Sequence, residues 1–111
     1  MSREIRFEHV NGFPRPSYSA KLLGCKWTIL IVRELAEGPR RFGQLQAALA
    51  GISPRTLSER LRWLEAEDVI SRATFAEVPP RVEYSLTAKG QGLLPVLLAM
   101  HDYERNWGPV S

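Results

Sequence analysis

The residues whose chemistry most clearly indicates a function are the arginines between residues 38 and 64. Glu59 is the only acidic residue in that stretch, so the local excess is four positive charges. The arginines are Arg40, Arg41, Arg55, Arg60 and Arg62. A guanidinium group matches the two acceptors on the major-groove edge of guanine, and it also pairs with phosphate oxygens. The whole chain carries a net charge of only +3, so the local concentration of charge, rather than the total, points to an anionic polymer.

Residue types that support catalysis or metal binding are sparse. His9 and His101 are far apart in the sequence, and no spacing matches a metal site. No glycine-rich phosphate loop follows a predicted strand. We therefore predict that the chain is not an enzyme and uses no metal or cofactor.

The cysteine content and the lack of a membrane-spanning or signal-peptide pattern predict the cellular compartment. One cysteine, Cys25, cannot form an intrachain disulfide, which agrees with a reducing compartment. No apolar run approaches the roughly 18 to 20 residues needed to cross a bilayer. The first residues do not resemble a signal peptide, so we expect a cytoplasmic protein without membrane contact.

Apolar spacing and helix-breaking residues predict the elements that must carry the arginines. At 111 residues the chain has the length of one domain, and its 44% apolar content is ordinary for a globular protein. Residues 1–16 hold prolines and a glycine among polar residues, which is typical of an arm, and residues 17–111 form the domain. A helical pattern follows until Gly38-Pro39, and Gly24 divides it into two helices.

Residues 42–67 fit a helix-turn-helix. A short apolar stripe ends at Gly51, and Ser53-Pro54 then combines a capping serine with a proline suited to the first helical position. In the second helix, residues 53–67, apolar residues at i, i+4 and i+7 form an inward stripe: Leu57, Leu61 and Leu64. Two helices joined by a tight turn match the arrangement whose second helix enters the DNA major groove.

Polar side chains cover the opposite face of this second helix, at about 100° per residue. Arg55 near the helix start is predicted to read a base edge, with Ser58 and Glu59 as second readers. One alternative is that these charges only solvate an exposed helical face. Another is a winged helix that contacts protein, but that function needs an acidic or apolar outer face.

Further side chains are predicted to contact the DNA from this helix: Ser53, Thr56, Arg60 and Arg62. Hydroxyl groups and the free amides at a helix start suit phosphate oxygens, which fix the register without reading sequence. The two arginines suit either phosphates or bases. Arg40 and Arg41 precede the first helix of the motif, where basic side chains commonly meet phosphate, and mere solubility is the alternative.

Residues 70–86 are predicted to form a β-hairpin, the wing. Branched and aromatic residues mark strands at 70–75 and 82–86, and prolines between them favour a wide loop. Side chains predicted to meet the DNA backbone or minor groove are Arg72, Thr74 and Arg81. The alternative is a ribbon that only closes the core, in which Arg81 pairs with Glu77 or Glu83.

Residues 88–107 are predicted to form one final helix, capped by Thr87 and kinked at Pro95. Its apolar residues cover more than one face, so we expect a second copy to bury the surplus in a homodimer. These residues are Leu93, Leu94, Val96, Leu97, Met100, Tyr103 and Trp107. Packing entirely against the chain's own helices is the alternative.

Several markers in a fixed order resemble the HxlR family of bacterial regulators, relatives of the MarR-type winged-helix proteins. The likeness spans residues 22–103. Its markers include Gly24-Cys25-Lys26-Trp27-Thr28, Gly38-Pro-Arg-Arg-Phe-Gly43, Gly51-Ile-Ser-Pro-Arg-Thr-Leu57 and Val78-Pro-Pro-Arg-Val-Glu-Tyr-Ser-Leu-Thr87. The resemblance implies a mainly α (α+β) winged helix-turn-helix fold with N- and C-terminal dimerisation helices. It also implies a transcription regulator that binds a palindromic operator in double-stranded DNA as a homodimer.

The sequence departs from the family at the point that concerns sensing. Many members similar to this chain carry a sensing cysteine just before the first helix, and the equivalent place here falls near Pro14. Cys25 instead stands where the family usually has the second of two glycines. Cys25 is a candidate sensor of stress, because the neighbouring Lys26 could lower the thiol pKa. An inert, partly buried cysteine is the alternative.

Overall fold

The computed structural model describes residues 9–10, 13–14 and 16–110. Most of the predicted arm and the last residue, Ser111, lie outside these residues. The described part of the arm contains β1 (His9–Val10) and β2 (Phe13–Pro14), which pair in antiparallel register.

Helices account for most of the described residues up to the wing. α1 (Tyr18–Leu23) and α2 (Lys26–Leu35) are separated at Gly24, as the sequence predicted. A Cβ atom at Gly24 would lie 2.8 Å from the carbonyl oxygen of Ala20, which explains why a glycine stands at this break. α3 (Phe42–Ala48) and α4 (Pro54–Ala66) follow, and they are the two helices of the predicted helix-turn-helix.

The wing is an antiparallel hairpin of β3 (Ile70–Phe75) and β4 (Arg81–Leu86). A main-chain bridge also joins the wing to the segment between α2 and α3. The N–H of Arg40 donates to the oxygen of Tyr84 at 3.0 Å, and the N–H of Tyr84 donates back at 2.8 Å. The wing is therefore fixed through β4 to the segment that precedes α3.

The C-terminal part differs from its prediction. One kinked helix was predicted over residues 88–107, and the structure has two helices instead, α5 (Ala88–Gln91) and α6 (Leu94–Trp107). Thr87 does cap the first of them, since its hydroxyl accepts from the N–H of Gly90 at 3.0 Å. Pro95 does not kink a helix interior. It occupies the first turn of α6, where its missing N–H would have no intrahelical partner in any case.

Branched apolar side chains between α1 and the residue that precedes α6 form the core, and α4 is central to it. The core consists of Leu22, Ile31, Val32, Leu35, Leu45, Leu49, Ile52, Leu57, Leu61, Leu64, Val69, Ile70 and Leu93. The predicted stripe of α4, Leu57, Leu61 and Leu64, is between 0 and 2% exposed, so the opposite face of α4 must point outward. The expected fold class, mainly helical with a two-stranded hairpin, is confirmed. Among the described residues, no helix is long and apolar enough to span a bilayer.

Candidate nucleic-acid interface

The start of α4 is built by its own first residues. Ser53 has extended backbone angles, and its hydroxyl oxygen accepts a hydrogen bond from the N–H of Thr56 at 3.1 Å. The same hydroxyl donates to the Thr56 hydroxyl oxygen at 2.9 Å. The Thr56 proton is then free for another acceptor, because a hydroxyl donates once and accepts twice. Pro54 occupies the first helical position, as the sequence predicted.

The outward face of α4 carries the predicted base readers. Arg55 and Glu59 are both exposed and form an ion pair, with Nε of Arg55 3.0 Å from a carboxylate oxygen of Glu59. Exposed pairs of this kind contribute at most about 1 kcal/mol, so Arg55 can leave Glu59 for a base edge. Ser58 is half-buried on one side of this face, and Arg62 is exposed.

Arg60 lies apart from that outward face. Its guanidinium carbon is 5.1 Å from the ring centroid of Trp63, one turn further along the helix. The side chain is half-buried, and its charge acts on Cys25 at the start of α2. Arg60 therefore lies on the shoulder of α4 towards α2, where the flank of the motif suits a phosphate better than a base edge.

The wing arginines are engaged within the chain. Arg81 has Nε 3.1 Å from a Glu77 oxygen and 3.4 Å from a Glu83 oxygen, and its guanidinium carbon lies 4.2 Å from the centroid of the Phe75 ring. This is the pairing that the sequence left open as an alternative to a DNA contact. Arg72 pairs more loosely with Glu65 of α4, at 3.8 Å. Thr74 is exposed on β3 and stands opposite Val82.

Arg40 and Arg41 differ in their freedom. The Arg40 side chain is 3.2 Å from the Glu37 carboxylate and donates to the carbonyl oxygen of Pro39 at 3.0 Å. Arg41 is exposed, and its main-chain N–H donates to the Gln44 side chain at 2.8 Å, which starts α3. Sequence reasoning missed the main-chain pairing of Arg40 with the wing, because a one-residue bridge leaves no periodic signal.

Cys25 stands at the N-cap position of α2 and is half-buried. Burial raises its pKa, but the nearby main-chain N–H groups of Thr28 and Trp27 and the charge of Arg60 lower it, and the net effect is a lowered pKa. The sequence assigned this effect to Lys26. The ammonium of Lys26 instead lies 4.6 Å from the centroid of the Trp27 ring, and the contributing charge is that of Arg60.

A second surface lies on α6, outside the helix-turn-helix and the wing. Exposed apolar side chains at i, i+4, i+7 and i+11 form one stripe, the α6 stripe: Val96, Met100, Tyr103 and Trp107. The other predicted dimer residues pack inward. Leu93 is 8% exposed and belongs to the chain's own core, and Leu94 and Leu97 are half-buried against it. We therefore leave Leu93 out of the candidate dimer surface, because its side chain exposes too little area to contact a partner. Sequence reasoning also passed over Leu98, which is 65% exposed on the opposite side of α6 from the stripe.

Within the described residues, no group of three or more His, Cys, Asp or Glu side chains could hold a metal ion.

Comparisons with known proteins agree with this geometry. A family model described as HxlR-like helix-turn-helix matches residues 22–111. An uncharacterized HTH-type transcriptional regulator of Synechocystis sp. is 55% identical over 86 residues, which cover 78% of this chain and 64% of that protein. The chain thus spans less than two thirds of that relative's length. The uncharacterized HTH-type regulator YvaP of Bacillus subtilis is 43% identical over 94 residues, covering 85% of this chain and 87% of YvaP.

A comparison with solved structures also finds regulators that are similar to this chain in fold and in sequence. The redox regulator HypR in its reduced form aligns with a TM-score of 0.76 at 32% identity, covering 80% of this chain and 88% of that chain.

Proposed function

This chain belongs to the HxlR-like helix-turn-helix family, and from that premise we propose that it binds a palindromic operator in duplex DNA as a homodimer. Family membership makes it a DNA-binding transcription regulator rather than an enzyme, which confirms both predictions from the sequence. The observation that carries the proposal is the outward face of α4. Its polar side chains oppose a fully buried leucine stripe, so they are the part of α4 that can enter a groove.

Within the major groove, Arg55 is the proposed reader of guanine, since it is exposed and its ion pair with Glu59 lies at the surface. Glu59 can accept a hydrogen bond from the amino group of cytosine, and Ser58 can contact either partner of a base pair. Ser53 and Thr56 are proposed to contact phosphate at the helix start. Arg60 and Arg62 are proposed to contact the backbone that borders the groove.

The wing and the start of α3 are proposed to meet the flanking backbone. Arg41 is exposed and its side chain has no ion pair with another described residue, whereas Arg40 must leave Glu37 before it can contact phosphate. Arg81 can contact the DNA backbone or minor groove only if its guanidinium leaves the carboxylates of Glu77 and Glu83. Arg72 and Thr74 both lie on β3, and we propose that they contact the DNA backbone beside Arg81.

The homodimer is proposed to form through the α6 stripe. Large apolar side chains exposed in one row are expected to lie at an interface. An open groove of about 670 Å³ between α2 and α6, lined mainly by apolar side chains such as Leu30 and Leu97, widens this surface. A dimer would present two copies of α4 to half-sites about one helical turn, roughly 34 to 36 Å, apart.

DNA binding is tested by selecting preferred duplexes from a random library and measuring affinity against salt concentration. We expect binding to weaken steeply with salt, because each neutralised phosphate releases counterions. Arg55→Ala should cost about 1 to 3 kcal/mol at the selected site and relax base choice. Arg41→Ala is the matched control, and it should weaken binding to all sequences alike. Absent or salt-insensitive binding would contradict the proposed function, and equal losses on every sequence would make Arg55 a phosphate contact.

The dimer is tested by light scattering after size-exclusion chromatography. Met100→Glu places a charge in the α6 stripe and should produce monomers that bind the operator weakly. Arg105→Glu introduces the same charge on the other side of α6, outside both the α6 stripe and the groove, and it should remain a dimer. A monomeric wild type, or an intact dimer in Met100→Glu, would argue against the α6 stripe as the interface.

The sensor role of Cys25 stays a prediction, supported by its N-cap position and the lowered pKa of its thiol. Peroxide or an alkylating agent should change operator binding by the wild type, and Cys25→Ser should not respond. An equal response in Cys25→Ser would leave Cys25 as an inert residue.

A further inference from the structure

The last turn of α4 is held by side chains from outside the helix-turn-helix. Lys89 in α5 donates one hydrogen bond to the main-chain oxygen of Glu67 at 2.7 Å and another to the hydroxyl of Tyr18 at 2.6 Å. The Tyr18 hydroxyl in turn donates to the Glu67 carboxylate at 3.0 Å. We call Tyr18, Glu67 and Lys89 the helix-end clamp. It joins the first residue of α1 to the residue that follows α4 and to α5.

The charges in the helix-end clamp are complementary. Carbonyl groups at a helix C-terminus have no partner within the helix and form the negative end of its dipole, so a cation is stabilising there. The ammonium of Lys89 also lies 4.9 Å from the ring centroid of Tyr18. Its hydrogen bond to the Tyr18 hydroxyl raises the pKa of Lys89 above its ordinary value, so Lys89 is charged at neutral pH.

Main-chain hydrogen bonds also fix the backbone conformation at the same end of α4. The N–H of Val69 donates to the oxygen of Leu64 at 2.9 Å, and that of Asp68 donates to Glu65 at 3.0 Å. Asp68 has a φ of 62°, which completes a Schellman ending. The Thr87 hydroxyl lies within hydrogen-bond distance of the carbonyl oxygens of Asp68 and Val69, at 2.6 and 3.0 Å. The helix-end clamp therefore attaches α1 to an end of α4 that is already well defined.

The orientation of this end determines where the other end points. α4 has 13 residues, which correspond to roughly 20 Å at 1.5 Å per residue. Arg55 lies in its first turn, so a rotation at the helix-end clamp displaces Arg55 relative to the bases. Productive contacts require placement within about 0.5 Å. Phosphate binding is more tolerant, because it depends mainly on charge.

We infer that Tyr18 and Lys89 are positioning residues for base recognition, which set the orientation of α4 relative to α1 without contacting DNA. This inference rests on the proposed function. Loss of either side chain lowers the discrimination between operator and random DNA more than it lowers non-specific binding. The region that begins α1 thereby influences base reading at the far end of α4.

The variant Tyr18→Phe tests this inference, because it removes a hydroxyl and keeps the ring. We expect the ratio of affinities for selected and random duplexes to fall by about three- to tenfold, while affinity for random duplexes stays within about twofold. Lys89→Met should lower the ratio similarly. The double variant should be no worse than the stronger single variant, because both changes break one network. Lys89→Arg, which keeps the cation, should retain most of the ratio.

Lys21→Met is the matched control, since it removes an exposed lysine of α1 outside the helix-end clamp. It should leave the affinity ratio unchanged. A merely structural role of Tyr18 would lower the melting temperature without changing the ratio for folded protein, so an unchanged ratio in Tyr18→Phe overturns the inference. A wild type that does not discriminate between selected and random duplexes overturns the proposed function and the inference with it. Discrimination by the wild type and equal discrimination by Tyr18→Phe overturn the inference alone.

Discussion

The two ends of α4 are stabilised by different parts of the sequence. At the start, Ser53, Pro54 and Thr56 make the cap among themselves, within four consecutive positions. At the end, the main-chain turn is local, but the side-chain partners come from elements far away in the chain. Tyr18 reaches Glu67 across 49 positions, and Lys89 reaches it across 22.

This difference follows from what each end must do. The start of α4 has to approach DNA, so it can carry only a cap that occupies little space and leaves its outer side free. The end of α4 lies away from the proposed DNA contact, where neighbouring elements can pack without blocking a groove. Local contacts therefore begin the recognition helix, and distant contacts orient it.

The largest expected effect is a loss of stability, and it tests the contact between the end of α4 and the distant helix α5. A Cβ atom at Gly90 would lie 2.2 Å from the carbonyl oxygen of Val69, just after the end of α4. That oxygen also accepts the N–H of Thr87 at 3.1 Å, so it cannot move without disturbing the connection between the wing and α5. Gly90→Ala should lower the free energy of unfolding by about 2 to 3 kcal/mol, as measured by urea denaturation.

Gly43→Ala is the matched control for this change. An added Cβ at Gly43, in α3, meets no atom within 4 Å. Alanine there should raise the free energy of unfolding by about 0.5 to 1 kcal/mol, because glycine is costly within a helix. Wild-type stability in Gly90→Ala would mean that the end of α4 is not closely packed against α5.

The next effect tests the local cap. Ser53→Ala leaves the N–H of Thr56 without its acceptor and should cost about 1 to 2 kcal/mol of unfolding free energy. Ser53→Asp supplies a new acceptor and a negative charge that suits the positive end of the helix dipole, so stability should be kept. The same charge should repel phosphate and weaken DNA binding. Equal destabilisation by both variants would show that the hydroxyl is not acting as a cap.

The same contrast explains how much could be predicted from the sequence. The cap at Ser53, the buried stripe of α4 and the extent of the wing were predicted, because each depends on residues close together in the chain. The helix-end clamp was not predicted, since nothing near Tyr18 or Lys89 indicates their partner. The single helix over 88–107 was wrong, because Pro95 suits a helix start as well as a kink.

The candidate site was predictable to a similar degree. Exposure of Arg55 follows from helical periodicity, because the buried stripe determines the opposite face. Whether Arg81 is free depends on which of two nearby carboxylates it meets across the wing, and the structure has it within 3.4 Å of both. Its contact with DNA stays a prediction, as do the roles of the other basic residues.

The smallest effect tests the main-chain ending of α4 at Asp68. Asp68 has a φ of 62°, a conformation that costs most residues with a Cβ atom about 1 kcal/mol or more and costs glycine little. Asp68→Gly should therefore be more stable than Asp68→Ala by about 1 kcal/mol in urea denaturation, with wild type between them. Asp68→Asn removes the charge and keeps a side chain that tolerates this conformation, so it separates charge from backbone strain. If Asp68→Ala were as stable as Asp68→Gly, the left-handed ending would be absent in solution, and α4 would be directed by the helix-end clamp alone.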